Sequence, residues 1–385
     1  MNVEISVVLP CLNEEETIGA CIEKSKKAFE ECKMEGEVIV VDNGSTDKSV
    51  EISLALGARV VKEEEKGYGS ALRRGIEESK GYYIVMGDAD DTYDYLEMPK
   101  FIKFLKLGYD LVMGSRFKGE ILPGAMTWSH RYIGNPILSG MLRLFFGGTV
   151  SDSHCGLRAF TKDAYKKMNL HTTGMEFASE MVIHSMKKKL KITEVTITYY
   201  PRKGESKLSS LRDAWRHMRF MLLYSPNNLF LLPGALMFLI GTIASIKLLF
   251  GPIYLAGRTY DIHVMMFSGL LMILGWQIFN IGITAKIYAH QIGLEESSFT
   301  TMLITKFSLE RSMLLGGIFL LTGLGIGVYV LTVWVQGGFG FGAIVPAAAK
   351  WAQLKTTLLS LVFITLGIQT IFSAFLSSML QIKYK

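Results

Sequence analysis

The chain has 385 residues, of which 49% are hydrophobic and 20% charged, and its formal net charge is +6. The charge is unevenly spread, since residues 1–226 hold 32 basic and 31 acidic side chains, whereas residues 227–385 hold only nine and four. The first part is nearly neutral, as in a soluble domain, and no nucleic-acid partner is expected. A second part so poor in charge excludes a wholly water-exposed protein.

The first part alternates apolar strands with helices. In chain order the pattern predicts strands at 4–9, 38–41, 59–61, 82–86 and 110–113, separated by helices at 14–32, 47–56, 67–80 and 96–107. Pro10 is expected to end the first strand, because proline has no N–H for a sheet ladder. Strands and helices that alternate at this spacing predict an α/β domain with a parallel sheet covered on both faces. Ligands of such sheets bind beyond the carboxyl ends of the strands.

Acidic side chains crowd the end of the fourth predicted strand, in the stretch MGDADDTYDYLE. Asp88 and Asp90 point to the same side of an extended backbone, and such a pair suits a hard divalent cation that also binds phosphate. Asp42 ends another predicted strand, which favours a ligand site over a solvated acidic turn. Asp94 and Glu97 lie where the next helix begins, and a helix cap with a dipole-matched acid explains them.

Glycine-rich phosphate loops are the rival explanation for a ligand site. The sequence has no GxxxxGK[ST] and no GxGxxG after its first strand, so the ATPase and dinucleotide-binding classes lose their main support. Gly67-Tyr68-Gly69 opens a helix, and a close approach to a ligand and a plain turn explain it equally well. Basic side chains in motif-like turns favour anionic ligands: Arg116 in GSR, Arg131 in HRY, Arg158 in GLR, and Arg202, Lys203 and Lys207 in PRKGESK.

The second part contains windows long and apolar enough to cross a bilayer. Spans are predicted near 229–250, 264–285, 313–335 and 357–380. Apolar and arginine stripes at 208–226 predict an amphipathic helix on an anionic membrane surface; an ordinary surface helix is the alternative. Basic flanks of the spans place the first part in the cytoplasm by the positive-inside rule. We therefore expect a domain at 1–207, then this helix, then a membrane domain at 227–385.

Other polar side chains give weaker signals. The four cysteines form no CxxC pair and are expected to be idle thiols. His130 and His154 lie near the candidate site, where phosphate binding and a core or surface role are equally open. Glu176 and Glu180 are expected to be charges on a helix surface rather than bases. Polar residues within the spans, Asn280 among them, are expected to bond one helix to another.

Several motifs together resemble inverting glycosyltransferases of family 2, which have the GT-A fold. They are VLPCLNE from Val8, VDNGSTD from Val41, GDAD from Gly87 and GSR from Gly114. DSHCGLR from Asp152 and GESK from Gly204 continue the likeness, which covers roughly residues 4–225. The resemblance is strongest to polyprenyl-phosphate glycosyltransferases, the group of dolichol-phosphate mannose synthases. It implies a Rossmann-like catalytic domain with a mostly parallel sheet, and the spans fit members that have a membrane tail.

The resemblance also implies roles for individual residues. Pro10, Asn13, Glu14 and Asp42 would hold the nucleotide, Arg202, Ser206 and Lys207 would close over its diphosphate, and Asp88 and Asp90 would bind that diphosphate through Mg²⁺ or Mn²⁺. Arg116 and Arg131 would hold the lipid phosphate and form the catalytic set with Asp90. The sequence departs from mannose synthases after GDAD, where Asp91 and Thr92 replace an apolar residue and glutamine. Thr92 is expected to be a weaker metal ligand, and Asp91 to bear on donor specificity.

The predicted function is inverting transfer of mannose or glucose from GDP-mannose or UDP-glucose to a dolichyl or undecaprenyl phosphate. The absence of QxxRW argues against polymer extension. One alternative is a membrane-anchored protein that binds sugar nucleotides or translocates lipid-linked sugars without transferase activity; another is a transferase with a non-lipid acceptor. The acidic pair and the arginines speak against the first, and the basic amphipathic helix speaks against the second. A homo-oligomer is left open.

Overall fold

The computed structural model describes residues 3–203, 210–291, 300–302, 308–336 and 347–381. The chain forms two compact units, Met1–Met221 and Leu222–Lys385. The first is built on a sheet and the second on long apolar helices. The three domain ranges expected from the sequence stay predictions, and the division between the compact units lies inside the range expected for the amphipathic helix.

A seven-stranded sheet forms the centre of the first unit. Its strands are β1 Ile5–Cys11, β2 Gly36–Asp42, β3 Arg59–Lys62, β4 Tyr83–Met86, β5 Leu111–Ile121, β6 Arg158–Thr161 and β7 Ile192–Tyr199. The order across the sheet is β3-β2-β1-β4-β6-β5-β7, with β6 antiparallel to both neighbours and the other pairs parallel. Unbroken apolar runs such as VIVV in β2 suit strands buried on both faces. The predicted α/β class with a mostly parallel sheet is confirmed.

Helices cover this sheet and supply its core. They are α1 Ile18–Cys32, α2 Ser49–Ala55, α3 Tyr68–Glu78, α4 Met98–Lys106, α5 Asn135–Phe146, α6 Lys162–Met168 and α7 Phe177–Lys187, followed by α8 Ser210–Leu223. Ile18 and Ile22 of α1 and Phe101 of α4 are fully buried in one cluster with Leu9 of β1. The cap expected before α4 is present, since Asp94 accepts a hydrogen bond from the Leu96 amide at 3.1 Å.

The prediction that Pro10 ends the first strand is wrong. Pro10 lies inside β1 and is in register with Val41 of β2. Backbone groups of successive strand residues face opposite neighbours, and Val8 faces β4, because its carbonyl accepts from the Gly87 amide. The nitrogen of Pro10 therefore faces the β4 side, where β4 has already ended at Met86. No hydrogen bond between strands is lost, so β1 tolerates proline at this position as an edge strand does.

The second unit consists mainly of long apolar helices. They are α9 Leu232–Leu249, α10 Ile262–Gln291, α11 Leu309–Gln336 and α12 Ala347–Leu380, with a hairpin of β8 Ile253–Leu255 and β9 Arg258–Tyr260 after α9. Four stretches of the described helices, Asn227–Leu249, Ile262–Gln291, Leu309–Gln336 and Trp351–Leu380, are long and apolar enough to cross a membrane. Their outward faces expose large aliphatic side chains such as Ile243 and Leu321, as lipid-facing helices do. The predicted set of four spans is confirmed.

Glycines and hydroxyl groups join these helices. A Cβ at Gly275 of α10 would lie 2.4 Å from the backbone nitrogen of Phe238 in α9, so small residues allow close approach of the helices. The side chains that bond one helix to another include Ser245 with Ser268, Trp276 with Thr370 and Thr284 with Ser377. The amide of Asn280 instead donates to the Trp276 carbonyl of its own helix, which differs from the expectation for polar residues in the spans.

Candidate active site

The acidic pair lies directly beyond the carboxyl end of β4, at the crevice edge of the sheet. Asp88 Oδ1 accepts a hydrogen bond from the Tyr68 hydroxyl at 2.9 Å. Asp90 Oδ1 accepts from the Thr92 hydroxyl at 2.6 Å and from the Thr92 amide at 3.2 Å. Burial raises the pKa of Asp88, and the negative charge of Asp90 raises it further. The ionised form of Asp88 is therefore disfavoured unless positive charge lies beside it. The acidic pair thus creates a demand for a cation.

Arg202 meets part of that demand. It follows β7, and its guanidinium bridges Glu14 Oε1 at 2.8 Å and Asp90 Oδ2 at 3.3 Å. Its Nε–H is enclosed and has no hydrogen-bond partner in the part of the chain that the structure describes. An enclosed donor without an acceptor costs free energy unless a ligand or water fills the place. An anionic oxygen beside Asp90 would satisfy it.

The loops after β1 and β2 form the neighbouring wall of the site. Asp42 Oδ1 accepts from the Ser45 amide at 2.8 Å, and Asn13 Oδ1 accepts from the Thr46 amide at 2.8 Å. The Glu14 amide donates to Ser49 Oγ at 2.8 Å. These bonds tie the two strand ends together, as the shared edge of parallel strands allows. Pro10 leads into this wall from within β1.

The predicted metal ligands suit a divalent cation. Asp88 and Asp90 present carboxylate oxygens, which are the ligands that Mg²⁺ and Mn²⁺ prefer. Within the described ranges, no three histidine, cysteine, aspartate or glutamate side chains gather into a metal cage. A site with two carboxylates leaves coordination positions for substrate phosphate and water, as is usual for Mg²⁺. The Thr92 hydroxyl orients Asp90, and its own place among the ligands stays a prediction.

The glycine turn at the start of α3 is explained by packing. The amides of Gly69 and Ser70 donate to the Thr173 carbonyl at 2.8 and 3.1 Å. A Cβ at Gly67 would lie 2.1 Å from that same oxygen, and one at Gly69 would lie 2.6 Å from the Thr172 oxygen. The glycines thus allow a close approach to the protein's own backbone, which neither explanation for this turn had included, and an approach to a ligand stays a prediction.

Glu180 holds the loop that faces this turn. It is fully buried in α7, so the expectation that it is a surface charge is wrong. Its carboxylate accepts from the His171 amide at 3.0 Å, from the Thr172 amide at 3.0 Å and from the Thr172 hydroxyl at 2.6 Å. These donors satisfy a buried carboxylate without a cation. Glu176 is half-buried, and its carboxylate lies 3.9 Å from the Arg216 guanidinium.

The two arginines expected to hold the lipid phosphate differ in their surroundings. Arg116 is buried, and its Nε and Nη2 donate to Asp152 at 2.7 and 2.8 Å. Arg131 lies on the π-helical turn His130–Gly134 that precedes α5, with its guanidinium 5.5 Å from the Tyr132 ring centroid. The expectation that Arg116 lies in a turn is wrong, because it lies within β5. The phosphate roles of both arginines stay predictions. Ser206 and Lys207, expected over the diphosphate, lie outside the described residues.

His154 packs inside the first unit. Its Nδ1 lies 2.9 Å from the Ser153 hydroxyl, and its ring stacks edge-on against His217 with centroids 4.5 Å apart. Burial, helped by His217, lowers the pKa of His154 well below its usual range. A neutral imidazole in these surroundings favours the core role over phosphate binding.

Some residues of the site region carry no signal in the sequence. Tyr68 contacts Asp88, which lies 20 positions further along the chain, and nothing in the sequence around Tyr68 predicts that contact.

Arg158 was expected to bind an anion because of its place in GLR. It is fully buried, however, and donates to the carbonyls of Cys155, Ala178 and Ser153. Its role is therefore to hold the DSHCGLR loop against α7.

Two family models match the chain. The model described as glycosyl transferase family 2 matches residues 6–168, and the one described as the family's C-terminal transmembrane region matches residues 283–381. A relative from Haloferax volcanii, the low-salt glycan biosynthesis hexosyltransferase Agl6, is 41% identical over 373 residues, which cover 97% of this chain and 88% of the relative. The chain belongs to glycosyltransferase family 2. This membrane-associated transferase therefore has a catalytic unit and a transmembrane region in one polypeptide.

Other proteins resemble the catalytic unit of this transferase alone. A dolichyl-phosphate hexose transferase of Haloferax volcanii is 32% identical over 53% of this chain and 86% of that protein. A solved structure of glucosyl-3-phosphoglycerate synthase from Mycobacterium tuberculosis, in complex with Mn²⁺ and UDP-glucose, is 26% identical. That match covers 57% of this chain and 78% of the other, with a TM-score of 0.47.

Proposed function

We propose that this transferase moves a hexose, mannose or glucose, from a nucleotide-diphosphate sugar to a polyprenyl phosphate with inversion at the anomeric carbon. The names of two relatives support hexosyl transfer in glycan assembly, and one of them is called a dolichyl-phosphate hexose transferase. The donor would be GDP-mannose or UDP-glucose, and the acceptor dolichyl or undecaprenyl phosphate. The catalytic unit would lie on the cytoplasmic face of the membrane.

The surroundings of Arg131 carry this proposal. Trp128 and Tyr132 beside it are 68% and 59% exposed, and Ile137 and Leu144 on the following helix α5 are 53% and 76% exposed. Aromatic and aliphatic side chains next to a cation match an acceptor with an apolar chain and a phosphate head. A soluble acceptor would give no reason for such a surface, which supports lipid over the non-lipid alternative.

The donor would bind along the wall made by the β1, β2 and β4 ends. Asn13, Glu14 and Asp42 would hold the nucleoside, and Arg202 would face the diphosphate with the Nε–H that has no partner among the described residues. Asp88 and Asp90 would hold the cation, which supplies stabilisation of negative charge on the leaving diphosphate. Family membership and these intact carboxylates speak against an inactive binding protein.

The chemistry needs little proton transfer. A lipid phosphate is already an anion, so no general base must activate it. Its oxygen would form a bond to the anomeric carbon while the bond from that carbon to the diphosphate oxygen breaks, which turns an α-linked donor into a β-linked product. Arg131, together with Arg116 if its predicted role holds, would keep the phosphate oxygen in line with the bond that breaks. Positioning of this kind supplies much of the rate enhancement.

The test is transfer of radiolabel by membranes that contain the full chain. They are incubated with labelled GDP-mannose or UDP-glucose, Mn²⁺ and a polyprenyl phosphate, and label is counted in the lipid fraction. We expect label with one donor, and a loss of at least about 100-fold in turnover for Asp90→Ala, the scale of removing a main transition-state stabiliser. No label across a donor panel would contradict the proposed function, and near-wild-type turnover of the variant would remove Asp90 from the mechanism.

A further inference from the structure

Asp91 stands between the two residues of the acidic stretch that bond each other, Asp90 and Thr92, yet it takes no part in their contacts. Its backbone is left-handed, with φ of 59°, a conformation that aspartate tolerates better than most residues. The residue is 7% exposed. That turn directs the Asp91 carboxylate away from Asp90 and towards two lysines.

Both oxygens of Asp91 are used by ammonium groups from distant parts of the chain. Oδ1 lies 2.7 Å from Lys24 Nζ in α1, and Oδ2 lies 2.8 Å from Lys203 Nζ, which follows β7. Each pair is also a hydrogen bond. Asp91 therefore joins α1 to the segment that leaves the last strand of the sheet.

That segment runs alongside the acidic stretch at several successive points. Tyr199 forms a single β-bridge with Tyr93, and the Tyr200 amide donates to the Thr92 carbonyl at 3.0 Å. Arg202 then reaches Asp90, and Lys203 reaches Asp91. The Asp91–Lys203 pair is the last of these contacts along the described residues, which here end at Lys203.

The alternatives for Asp91 fit these contacts less well. A cation would be repelled at Asp91, because two ammonium groups already outweigh the single negative charge of its carboxylate. A role in donor specificity would instead change the donor preference and leave the nucleotide Kd unchanged, which the experiment below measures. Stability of the whole fold is also a poor description, because the Lys203 side chain is 63% exposed and an exposed pair adds little to the free energy of unfolding. Holding one short segment in place needs less, and the same carboxylate is anchored by Lys24, which is only 29% exposed.

We propose that Asp91, clamped by Lys24 and Lys203, is a positioning residue that fixes the segment after β7 so that Arg202 faces the donor diphosphate. The proposal rests on the proposed function for the identity of the diphosphate. Lys203 directly follows Arg202 in the chain, and its partner Asp91 belongs to the acidic stretch. Fixing Lys203 therefore also restricts Arg202. Loss of the clamp would weaken donor binding and leave the acceptor site unchanged.

The test compares variants of the full chain purified in detergent: Asp91→Asn, Lys203→Gln and Lys203→Arg. Asparagine keeps the tolerance for a left-handed backbone and removes the charge. Lys118→Gln is the matched control, because Lys118 is 52% exposed and pairs at 2.6 Å with the nearly buried Glu194, as Lys203 pairs with Asp91. The measurements are the KM for the sugar nucleotide, the KM for polyprenyl phosphate, and the Kd for UDP or GDP with Mn²⁺ by titration calorimetry.

We expect Asp91→Asn and Lys203→Gln to raise the donor KM and the nucleotide Kd about 10-fold, because small displacements of a binding group have effects of this order. The acceptor KM should stay unchanged, Lys203→Arg should recover most of the affinity, and Lys118→Gln should match the wild type. Wild-type donor affinity in both variants overturns the proposal. An equal rise in both KM values also overturns it, because that result indicates a general loosening of the catalytic unit. A changed donor preference with an unchanged nucleotide Kd overturns it too, because that result indicates a role in donor specificity.

The nucleotide titration separates this inference from the proposed function. If the wild-type chain transfers no label from any donor, the proposed function fails, and the effect of Asp91→Asn on the nucleotide Kd still decides the positioning role. A wild-type chain that binds neither UDP nor GDP overturns both.

Discussion

Asp152 accepts hydrogen bonds from both prongs of the Arg116 guanidinium, and neither group reaches solvent. The Arg116 amide also donates to Asp152 Oδ2 at 3.1 Å. An arginine tied in this way has its planar fork already satisfied. Arg131 has no carboxylate partner among the residues that the structure describes, and its surroundings are exposed. The two arginines should therefore respond differently to the same substitution.

We expect Arg116→Gln to lower the free energy of unfolding by about 3–5 kcal/mol, because it leaves the buried Asp152 carboxylate without its charged partner. Arg131→Gln should leave the unfolding free energy unchanged and raise the KM for polyprenyl phosphate at least about 10-fold, the scale of a lost hydrogen bond to a charged group. Denaturant unfolding and acceptor titration measure the two effects. A stable Arg116→Gln variant with a raised acceptor KM would show that Arg116 binds the phosphate and is not needed for stability.

The sequence indicates some site residues because of where they stand along the chain. Asp88, Asp90 and Asp42 follow predicted strands, and a parallel sheet brings strand ends to one edge whatever the details of packing. Tyr68 and Glu180 could not be predicted in the same way, since their roles depend on contacts between segments far apart in the sequence. The buried position of Glu180 also runs against the usual exposure of glutamate.

At the scale of elements, the start of α3 shows how one helix end can support the site. The loop held by Glu180 places the Thr173 carbonyl against the amides of Gly69 and Ser70 in the first turn of α3, which satisfies donors that a helix start leaves unpaired. The same contact fixes Tyr68, whose hydroxyl donates to Asp88. A change in the spacing of loop and helix would therefore reach the acidic pair.

Gly69→Ala should disturb this contact. The added Cβ would lie 2.6 Å from the Thr172 oxygen and 2.9 Å from the Gly174 oxygen, and overpacking of this kind costs about 1–3 kcal/mol. We expect a lower melting temperature together with reduced transfer, because Tyr68 moves with its helix. Gly140→Ala in α5 is the control, since nothing lies within 4 Å of its added Cβ and alanine favours the helix. Equal melting temperatures for the two variants would show that the loop yields without strain.

The strands that were predicted are those with unbroken apolar runs, β1 to β4 and the start of β5. No local pattern in the sequence predicts β6 and β7. β6 has only four residues and enters the sheet antiparallel between β4 and β5, so its place depends on pairing across the chain rather than on a local pattern. β7 alternates threonine with apolar residues and pairs with β5 across a break in register. The partners and register of such strands depend on the other strands of the sheet, so the local sequence does not predict them.

At the scale of the whole molecule, the division of charge predicts the architecture. Bilayer thickness fixes how many apolar residues a span needs, so the four spans could be found without any knowledge of packing. The ends of these helices could not be predicted in the same way, since the helix expected near 264–285 extends over Ile262–Gln291. A helix can continue into water after the apolar window ends, and composition does not record where it stops.

The cytoplasmic placement of the catalytic unit is tested by labelling single cysteines. Glu30 in α1 and Thr259 in β9 are both exposed, and one predicted span, Asn227–Leu249, separates them along the chain. The background is Cys32→Ser, because Cys32 is half-buried. The native thiols that remain are buried, and burial raises their pKa, to about 11 for Cys11 and about 12 for Cys21 and Cys155, which keeps them unreactive in the folded chain.

With a maleimide that does not cross membranes, intact cells should label Thr259→Cys and leave Glu30→Cys unlabelled. Permeabilised cells should label both, which shows that each position is accessible to the reagent. The reason is the positive-inside bias of the loops, combined with an odd number of spans between the two positions. Label at Glu30→Cys in intact cells, with Thr259→Cys protected, would reverse the orientation and place the acidic pair on the outer side, where a sugar nucleotide made in the cytoplasm could not reach it.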